Sequence, residues 1–464
     1  MSAQVAEESM LSGNTTREFF RFVVPSIVGL LAVSSAGIVD GIFVGNYVGS
    51  TALAAVNLVT PLYSLFFGLC VMMLVGGAVV AGKALGSGDV RQARNIFTKS
   101  MIVIIVYGVL MASLGYLFAE HISLFMGANE DVLPLTVDYI RGVSPFLIFI
   151  AIGYALSYFA RIDDAPNYAL AGLMLIAATN MVLDYVFIKA LGWGIEGAAF
   201  ATGLSYVGGT VVLVARLFGK SARITPIKPF GSWLGLVRAA YNGLSEFINE
   251  MSGGLVMFII NWILMTELGT NGVAAFTIVN YIIWLSVMIS YGGAEALGPL
   301  VSVNFGAGRD DRIARFLNLA VMCSVVTGVV VIAVLMINPE AIASAFVSSS
   351  ETETLSLTLG IIAVIWPMFL FNGINISVSG YFTGMHAAAQ SAAIAISRSL
   401  VLPLILILVF WKLFGVMGAF AALPVAEALT FGLTAALYWY GRPSTLVAKD
   451  QKKPEAVGTL ADSY

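Results

Sequence analysis

The sequence predicts an all-α polytopic membrane protein with twelve transmembrane helices, and two observations lead to this fold class. Hydrophobic residues make up 59% of the 464 residues and charged residues only 11%, whereas a soluble domain carries about 25% charged residues. Apolar runs of about 20 residues or more, the length that crosses a bilayer as a helix, recur along the chain. This composition argues against soluble enzymes, nucleic-acid binders and disordered scaffolds.

Each of the twelve apolar runs is long enough to span a membrane. Their continuous apolarity favours helices over the alternating strands of a barrel, and a helix satisfies its own backbone hydrogen bonds inside lipid. The predicted spans are roughly 19–45, 55–82, 96–118, 134–160, 167–189, 195–217, 238–266, 273–303, 313–337, 354–384, 388–412 and 415–440.

Positive charges predict the orientation of these spans. Most of the 23 Lys and Arg residues fall in the two termini and the even-numbered loops, whereas the odd-numbered loops hold only Lys189 and Lys412. Excess positive charge marks the cytoplasmic side. We therefore expect a multi-pass protein of the cytoplasmic (inner) membrane with both termini in the cytoplasm.

The two halves of the chain resemble each other at an offset of about 220 residues. Six spans in each half give both halves the same orientation, so a pseudo-twofold axis along the membrane normal would relate two parallel six-helix lobes. Four matched pairs of segments carry the repeat: 49–55 with 269–275, 86–94 with 306–315, 158–159 with 381–382, and 194–198 with 415–419.

The repeat also sets the predicted domain organisation. The N lobe covers 19–217 and the C lobe covers 238–440, each with six spans. The basic segment 218–237 would link the lobes on the cytoplasmic side, and 1–18 and 441–464 would form cytoplasmic tails.

Polar residues gather at one depth in the N-terminal half. Asp40 in span 1 and Asp184 in span 5 both lie in the outer half of the membrane, and Asn180 precedes Asp184 by one helical turn. Thr202 in span 6 and Tyr139 in span 4 reach the same level. Intramembrane acids are costly and usually functional, and hard oxygen ligands suit a proton or a small cation such as Na⁺. A structural role, such as a hydrogen bond between Asp184 and Asn180, is the alternative.

The C-terminal half lacks this acid pair, because Ile260 and Leu406 stand at the matching positions. It carries instead Glu250 and Glu295 within its first two spans. These glutamates would face a wet cavity and attract cationic substrates, or they would pair with a buried base such as Arg398. The cation chemistry is therefore predicted for the N lobe alone.

Pro25 precedes Asp40 by fifteen residues in span 1. Proline removes a backbone hydrogen bond and permits a kink. A bendable helix that carries a titratable acid would act as a switch, and a static bend is the alternative reading.

Several motifs together resemble the multidrug and toxic compound extrusion (MATE) family over residues 17–440. They are Pro25-Ser26, the run 40–45, the run 52–57, Pro61, the two glycine-containing loops after spans 2 and 8, and the Asn180–Asp184 pair. The resemblance implies a non-enzymatic exporter of amphipathic, often cationic drugs. It would work by alternating access, driven by an inward H⁺ or Na⁺ gradient and needing no cofactor.

The resemblance is closer to the archaeal and DNA-damage-inducible-type branch than to the NorM-type branch. Span 10 has no acid beyond Glu353 at its outer edge, which puts a NorM-type cation site in the C lobe in doubt. In the former branch the coupling ion binds an N-lobe cluster that matches Asp40, Asn180, Asp184 and Thr202 here, with Tyr139 and Pro25 nearby.

Other functions remain open at this level. A flippase for a lipid-linked substrate would share the architecture, and a channel or an intramembrane enzyme are further alternatives. A paired-histidine or nucleophile–base pattern that would indicate an enzyme is missing from the sequence. We expect the lipid bilayer and small-molecule drugs as partners, no nucleic acid, and a monomer.

Overall fold

The computed structural model describes residues 10–219, 221–344 and 352–452, and the regular elements in these ranges are helices. The α-helices are α1 (Thr15–Phe43), α2 (Ser50–Gly86), α3 (Val90–Phe125), α4 (Leu133–Val143), α5 (Leu147–Ile162), α6 (Pro166–Asp184), α7 (Gly194–Ala215), α8 (Leu234–Asn242), α9 (Leu244–Glu267), α10 (Gly269–Gly306), α11 (Asp310–Ile337), α12 (Pro339–Ser344), α13 (Thr352–Ile365), α14 (Asn372–Gly384), α15 (Ala388–Ile396), α16 (Leu402–Tyr440) and α17 (Pro443–Gln451). Short 3₁₀ or π segments extend several of them.

Eleven helical stretches within the described ranges are long and apolar enough to cross a membrane. The last, Ala388–Tyr440, has 53 residues, and a straight helix of that length would reach about 80 Å at 1.5 Å per residue. It is divided at Gly415, whose φ of 70° and ψ of −159° interrupt α16. Counting the parts before and after this glycine separately gives twelve crossings, the predicted number.

The start of the second half differs from the sequence prediction of a single span that begins at residue 238. A separate short helix, α8, comes first, and α9 begins only at Leu244. Gly243 lies between them, where its backbone packs so closely on the carbonyl group of Met72 in α2 that a Cβ atom would not fit. This close approach ends α8 and turns the chain.

The repeat is visible in the backbone. Left-handed φ values, which favour glycine, recur at matching places in the two halves. The matching residues are Gly49 and Gly269, Gly88 and Gly308, Asp164 and His386, and Gly194 and Gly415. The two halves therefore turn in the same way at the ends of corresponding helices.

The described residues form two compact units. The first contains 10–243 and 302–307, and the second contains 244–301 and 308–452. Each has its own apolar core, centred on residues such as Ile150 and Leu173 in the first unit and Phe276 and Phe369 in the second. The exact lobe boundaries at 217 and 238 stay a prediction.

Candidate functional site

Helices α1 and α6 of the first unit carry the two predicted acids. α1 begins after Asn14, whose Oδ1 accepts two backbone N–H groups of the first turn at 3.0 and 3.1 Å. α6 begins with Pro166, whose fixed φ suits a first helical turn. The two helices approach closely at Gly29, because a Cβ atom there would lie 2.8 Å from Leu173 Cδ1. Small and apolar residues thus bring the two acid-bearing helices side by side.

A π-helical segment follows each acid. α1 continues into Val44–Val48, four residues beyond Asp40, and α6 continues into Tyr185–Ala190, directly after Asp184. The two π segments contact each other. Such segments widen the helix locally and occur mostly at functional sites. The acids therefore lie where two neighbouring helices both depart from regular geometry.

The two carboxyl groups meet in a buried environment. Asp40 is 9% exposed and Asp184 is fully buried, and their side chains lie within hydrogen-bonding reach of each other. Asp40 Oδ1 and both carboxyl oxygens of Asp184 have no hydrogen-bond donor. Tyr139, 4% exposed on α4, interacts electrostatically with both carboxyl groups. The structure thus brings together three of the five residues predicted for the cation cluster.

This arrangement has a direct chemical consequence. An ionised carboxylate accepts hydrogen bonds but cannot donate one, so two facing carboxylates need a proton or a cation between them. A charge buried without such a partner is strongly unfavourable. The orphaned oxygens are hard ligands, which suit H⁺ or Na⁺. The acid pair supplies only two carboxyl groups, and within the described ranges no group of three or more His, Cys, Asp or Glu residues could hold a metal ion.

Asn180 and Thr202 lie on helices that adjoin the acids. Asn180 is 5% exposed and precedes Asp184 by one turn of α6. Thr202 is half-buried on α7, a helix that contacts both π segments. Whether these two side chains help to bind the ion stays a prediction.

Pro25 is buried in α1, which is helical from Thr15 to Phe43 without interruption. Proline has no N–H group that could donate to the carbonyl oxygen of the residue four positions earlier, here Arg21. The side chain of Arg21 anchors this end of α1, because its Nη1 and Nη2 atoms donate to Oδ1 and the carbonyl oxygen of Asp164, both at 2.9 Å. The proline thus lies between an anchored helix end and Asp40, where a bend would move the acid.

Tyr63 on α2 is a residue of this region that the sequence analysis missed. Its ring centroid is 6.4 Å from that of Tyr139, and its buried hydroxyl group interacts with Tyr139. The residue stands in a long apolar run with several other aromatic residues. Its spacing therefore offers no signal that separates it from ordinary packing residues.

The second unit contains a different polar centre. Arg398 lies in the π segment Ser397–Val401, and its Nε donates to Glu427 Oε1 at 3.1 Å. The other carboxyl oxygen of Glu427 accepts the Nδ2 of Asn375 at 2.8 Å. The guanidinium carbon of Arg398 is 5.9 Å from the ring centroid of Tyr291. Glu427, which the sequence analysis does not place, is thus paired with a buried base.

The two glutamates predicted to line the substrate cavity lie near this centre. Glu250 is exposed on α9 and Glu295 is half-buried on α10. Both interact electrostatically with Glu246, which also feels the charge of Arg398. The structure therefore places Glu250 and Glu295 near Glu246, and Glu246 in turn interacts with Arg398. A role for Glu250 and Glu295 in substrate binding stays a prediction.

A small cavity adjoins the Arg398 centre. Its lining includes Glu246, Asn249, Tyr291 and Asn375, and its volume of about 10 Å³ has room for about one water molecule. The Oδ1 atom of Asn375 is buried without a donor, and a water molecule there would satisfy it.

Comparisons with known proteins agree with these observations. A family model described as MatE matches residues 25–186 and 249–409, together more than half of the chain. The multidrug export protein MepA of Staphylococcus aureus (strain MSSA476) is 24% identical over 421 residues, covering 89% of this chain and 91% of MepA. MepA of Staphylococcus saprophyticus is 23% identical over 415 residues, covering 88% and 90%.

Solved structures share the fold. A MATE structure in the bent conformation superposes with a TM-score of 0.88 at 23% identity, covering 96% of this chain and 99% of the other. The straight conformation gives 0.87 at 23% identity, covering 94% and 98%. A MOP superfamily transporter from Pyrococcus furiosus Vc1 gives a TM-score of 0.85 at 23% identity, covering 94% of this chain and 98% of the other. The predicted all-α fold with twelve helices in two lobes is confirmed.

Proposed function

Because this chain belongs to the MatE family, we propose that it exports amphipathic, often cationic drugs in exchange for H⁺ or Na⁺ by alternating access. Members of the family are transporters, so the chain is a multi-pass membrane transporter and the expectation that it is not an enzyme is confirmed. It needs no cofactor. The coupling ion, the drugs and the monomeric state belong to the proposal.

One observation carries the proposal: the buried carboxyl groups of Asp40 and Asp184 face each other, and no base forms an ion pair with either within the described residues. A pair of this kind binds a proton or a cation far better than it tolerates two bare charges. It can thus take up an ion from one side of the membrane and release it to the other. An ion drives the transport cycle only by its different affinity for the two states of the protein.

Pro25 is the proposed point at which ion binding changes the shape of α1. The helix is anchored through Arg21 and continuous past the proline, and the missing hydrogen bond lowers the cost of a bend there. Ion binding at Asp40, with Asn180, Asp184, Thr202 and Tyr139 around it, would favour one shape of α1 and thereby release the drug.

We place the drug-attracting charges on Glu250 and Glu295, since both are acidic and Glu250 is exposed. We also propose that the protein lies in the inner membrane with both termini in the cytoplasm. This orientation rests on the distribution of Lys and Arg along the sequence.

Efflux from proteoliposomes tests the proposal. A fluorescent cationic drug is loaded, and an inward pH gradient or an inward Na⁺ gradient is imposed alone. Wild-type protein should respond to one of the gradients, which identifies the ion. Asp40→Asn should abolish gradient-driven efflux, whereas Asp131→Asn, the same change in an exposed loop, should leave it intact. Full gradient-driven efflux by Asp40→Asn would overturn ion binding at the acid pair.

A further inference from the structure

A basic pocket lies in the first unit, and its lining shares no residue with the acid cluster. It forms between the first turns of α3 and the extended segment 221–233, which we term the strap. The pocket has a volume of about 500 Å³. Its lining consists of three apolar and three basic residues: Val90, Ile227, Phe230, Arg91, Arg94 and Lys228.

Side chains of α3 hold the strap in place. Asn95 accepts the backbone N–H of Phe230 at 3.0 Å and donates to its carbonyl oxygen at 3.2 Å. Thr98 Oγ1 accepts the N–H of Ile227 at 3.0 Å. Lys99 Nζ donates to two further strap carbonyl oxygens, at 2.8 and 3.1 Å. Lys228 therefore projects from a backbone that is fixed on both sides of it.

Contacts orient the two arginines of the pocket without compensating their charges, and the lysine is exposed. The guanidinium carbon of Arg91 is 4.8 Å from the ring centroid of Phe230, and Arg94 Nε donates to a strap carbonyl oxygen at 2.6 Å. Lys228 is exposed. Across the described ranges, none of the three forms an ion pair with an acid.

The acid next to the pocket in sequence, Asp89, forms no ion pair with the three cations within the described ranges. Asp89 immediately precedes α3, and its Oδ1 accepts the N–H of Gln92 at 2.9 Å as the helix cap. Asp163, further along the chain, pairs with Arg216 at 2.9 Å and with Arg223 at 3.7 Å. The lining itself contains no acid.

Large apolar side chains close to the pocket in sequence indicate its depth. Phe218 is 84% exposed, Trp233 46% and Leu234 58%. Apolar residues of this size rest in the acyl region of a bilayer, and tryptophan is typical of its interface. The pocket thus lies at the level of the lipid headgroups, on the side that the charge pattern predicts to be cytoplasmic.

We propose that this pocket binds the phosphate group of an acidic phospholipid. Two oriented arginines and a nearby lysine suit a phosphate anion, and basic pockets beside transmembrane helices on the cytoplasmic side are typical headgroup sites. The same chemistry would accept inorganic phosphate. The apolar half of the lining and the exposed aromatic residues close to it in sequence favour the lipid.

Binding of fluorescent phosphatidylglycerol to the purified full-length protein in neutral detergent tests the proposal. Each lost charge should weaken binding about fivefold, so the double variant Arg91→Gln, Lys228→Gln should weaken it roughly 25-fold. The matched control Lys449→Gln, Lys452→Gln removes two exposed charges near the end of the described chain and should leave binding unchanged. Fluorescent phosphatidylcholine should bind much more weakly.

Two results would overturn the proposal. Equal weakening by the control variant would show a diffuse attraction between the lipid and all surface cations. Displacement of the lipid by millimolar inorganic phosphate would instead assign the pocket to a soluble anion. A thermal unfolding measurement shows whether the double variant is folded. If it is not, the single variant Lys228→Gln, which changes an exposed residue of the strap, replaces it in the binding test.

Discussion

The acid pair of the first unit and the Arg398–Glu427 pair of the second unit differ in whether the protein itself supplies a partner for the buried charge. Asp40 and Asp184 put two carboxyl groups together with no base. Glu427 has a base at 3.1 Å and an amide donor at 2.8 Å. Both centres adjoin π segments, and the two halves share their backbone turns.

The difference indicates that the buried charges have different roles in the two halves of the repeat. A buried acid that is paired with arginine is satisfied by the protein itself and is costly to break. A buried pair of acids is satisfied only by something that the protein must bind. We therefore expect charge-removing substitutions to harm stability in the second unit and ion coupling in the first.

The largest effect on stability is expected for Glu427→Ala. It leaves Arg398 buried without its counter-ion, which should cost about 3–5 kcal/mol, seen as a lower unfolding temperature in detergent. The double variant Arg398→Met, Glu427→Met removes both charges and should recover most of this loss. A double variant as unstable as the single one would show that the ion pair does not carry the effect.

A smaller loss is expected where α1 and α6 touch. Gly29→Ala places a methyl group 2.8 Å from Leu173 Cδ1, and overpacking of this kind costs about 1–3 kcal/mol. Adding Leu173→Ala should relieve the clash. Gly37→Ala, in the same helix with open space around it, is the control, and equal loss in both variants would point to helix-wide effects.

The shared backbone of the two halves predicts matched costs at matched glycines. Gly194 and Gly415 have φ values of 61° and 70°, and a side chain in such a sparsely populated backbone region costs about 1–3 kcal/mol. Alanine at either position should lower the unfolding temperature by a similar amount. A loss at only one of them would weaken the structural equivalence of the halves.

The smallest change in stability is expected for Asp40→Asn. The substitution removes a charge that has no base, so stability should stay within about 1 kcal/mol of wild type although gradient-driven efflux is lost. The same unfolding assay that detects Glu427→Ala checks this. A large loss would indicate that Asp40 has a structural partner, as Glu427 does.

More of the fold than of the candidate site can be predicted from the sequence. Twelve apolar runs and a repeat of about 220 residues suffice for the architecture, because bilayer thickness and backbone satisfaction leave few alternatives. The separate helix α8 was not predicted, since the break at Gly243 depends on a tertiary contact with Met72.

The sequence predicts the partner of a buried charge only where a shared depth in the membrane is enough to bring the two residues together. The sequence predicts Asp40 and Asp184 at the same membrane depth, on helices that run in the same direction. Arg398 and Glu427 are 29 residues apart. From the sequence alone, several acids of the C-terminal half are equally good candidates for the partner of Arg398. Side-chain direction, which the sequence does not contain, decides between them.

Ion release from purified protein in detergent tests the central claim most directly. Addition of drug to the wild type should release protons, detected with a pH indicator, or radioactive sodium from preloaded protein. Asp40→Asn and Asp184→Asn should release neither, whereas Asp131→Asn should behave as wild type. Undiminished release of the same ion by Asp40→Asn would contradict the account, because the coupling ion would then bind elsewhere.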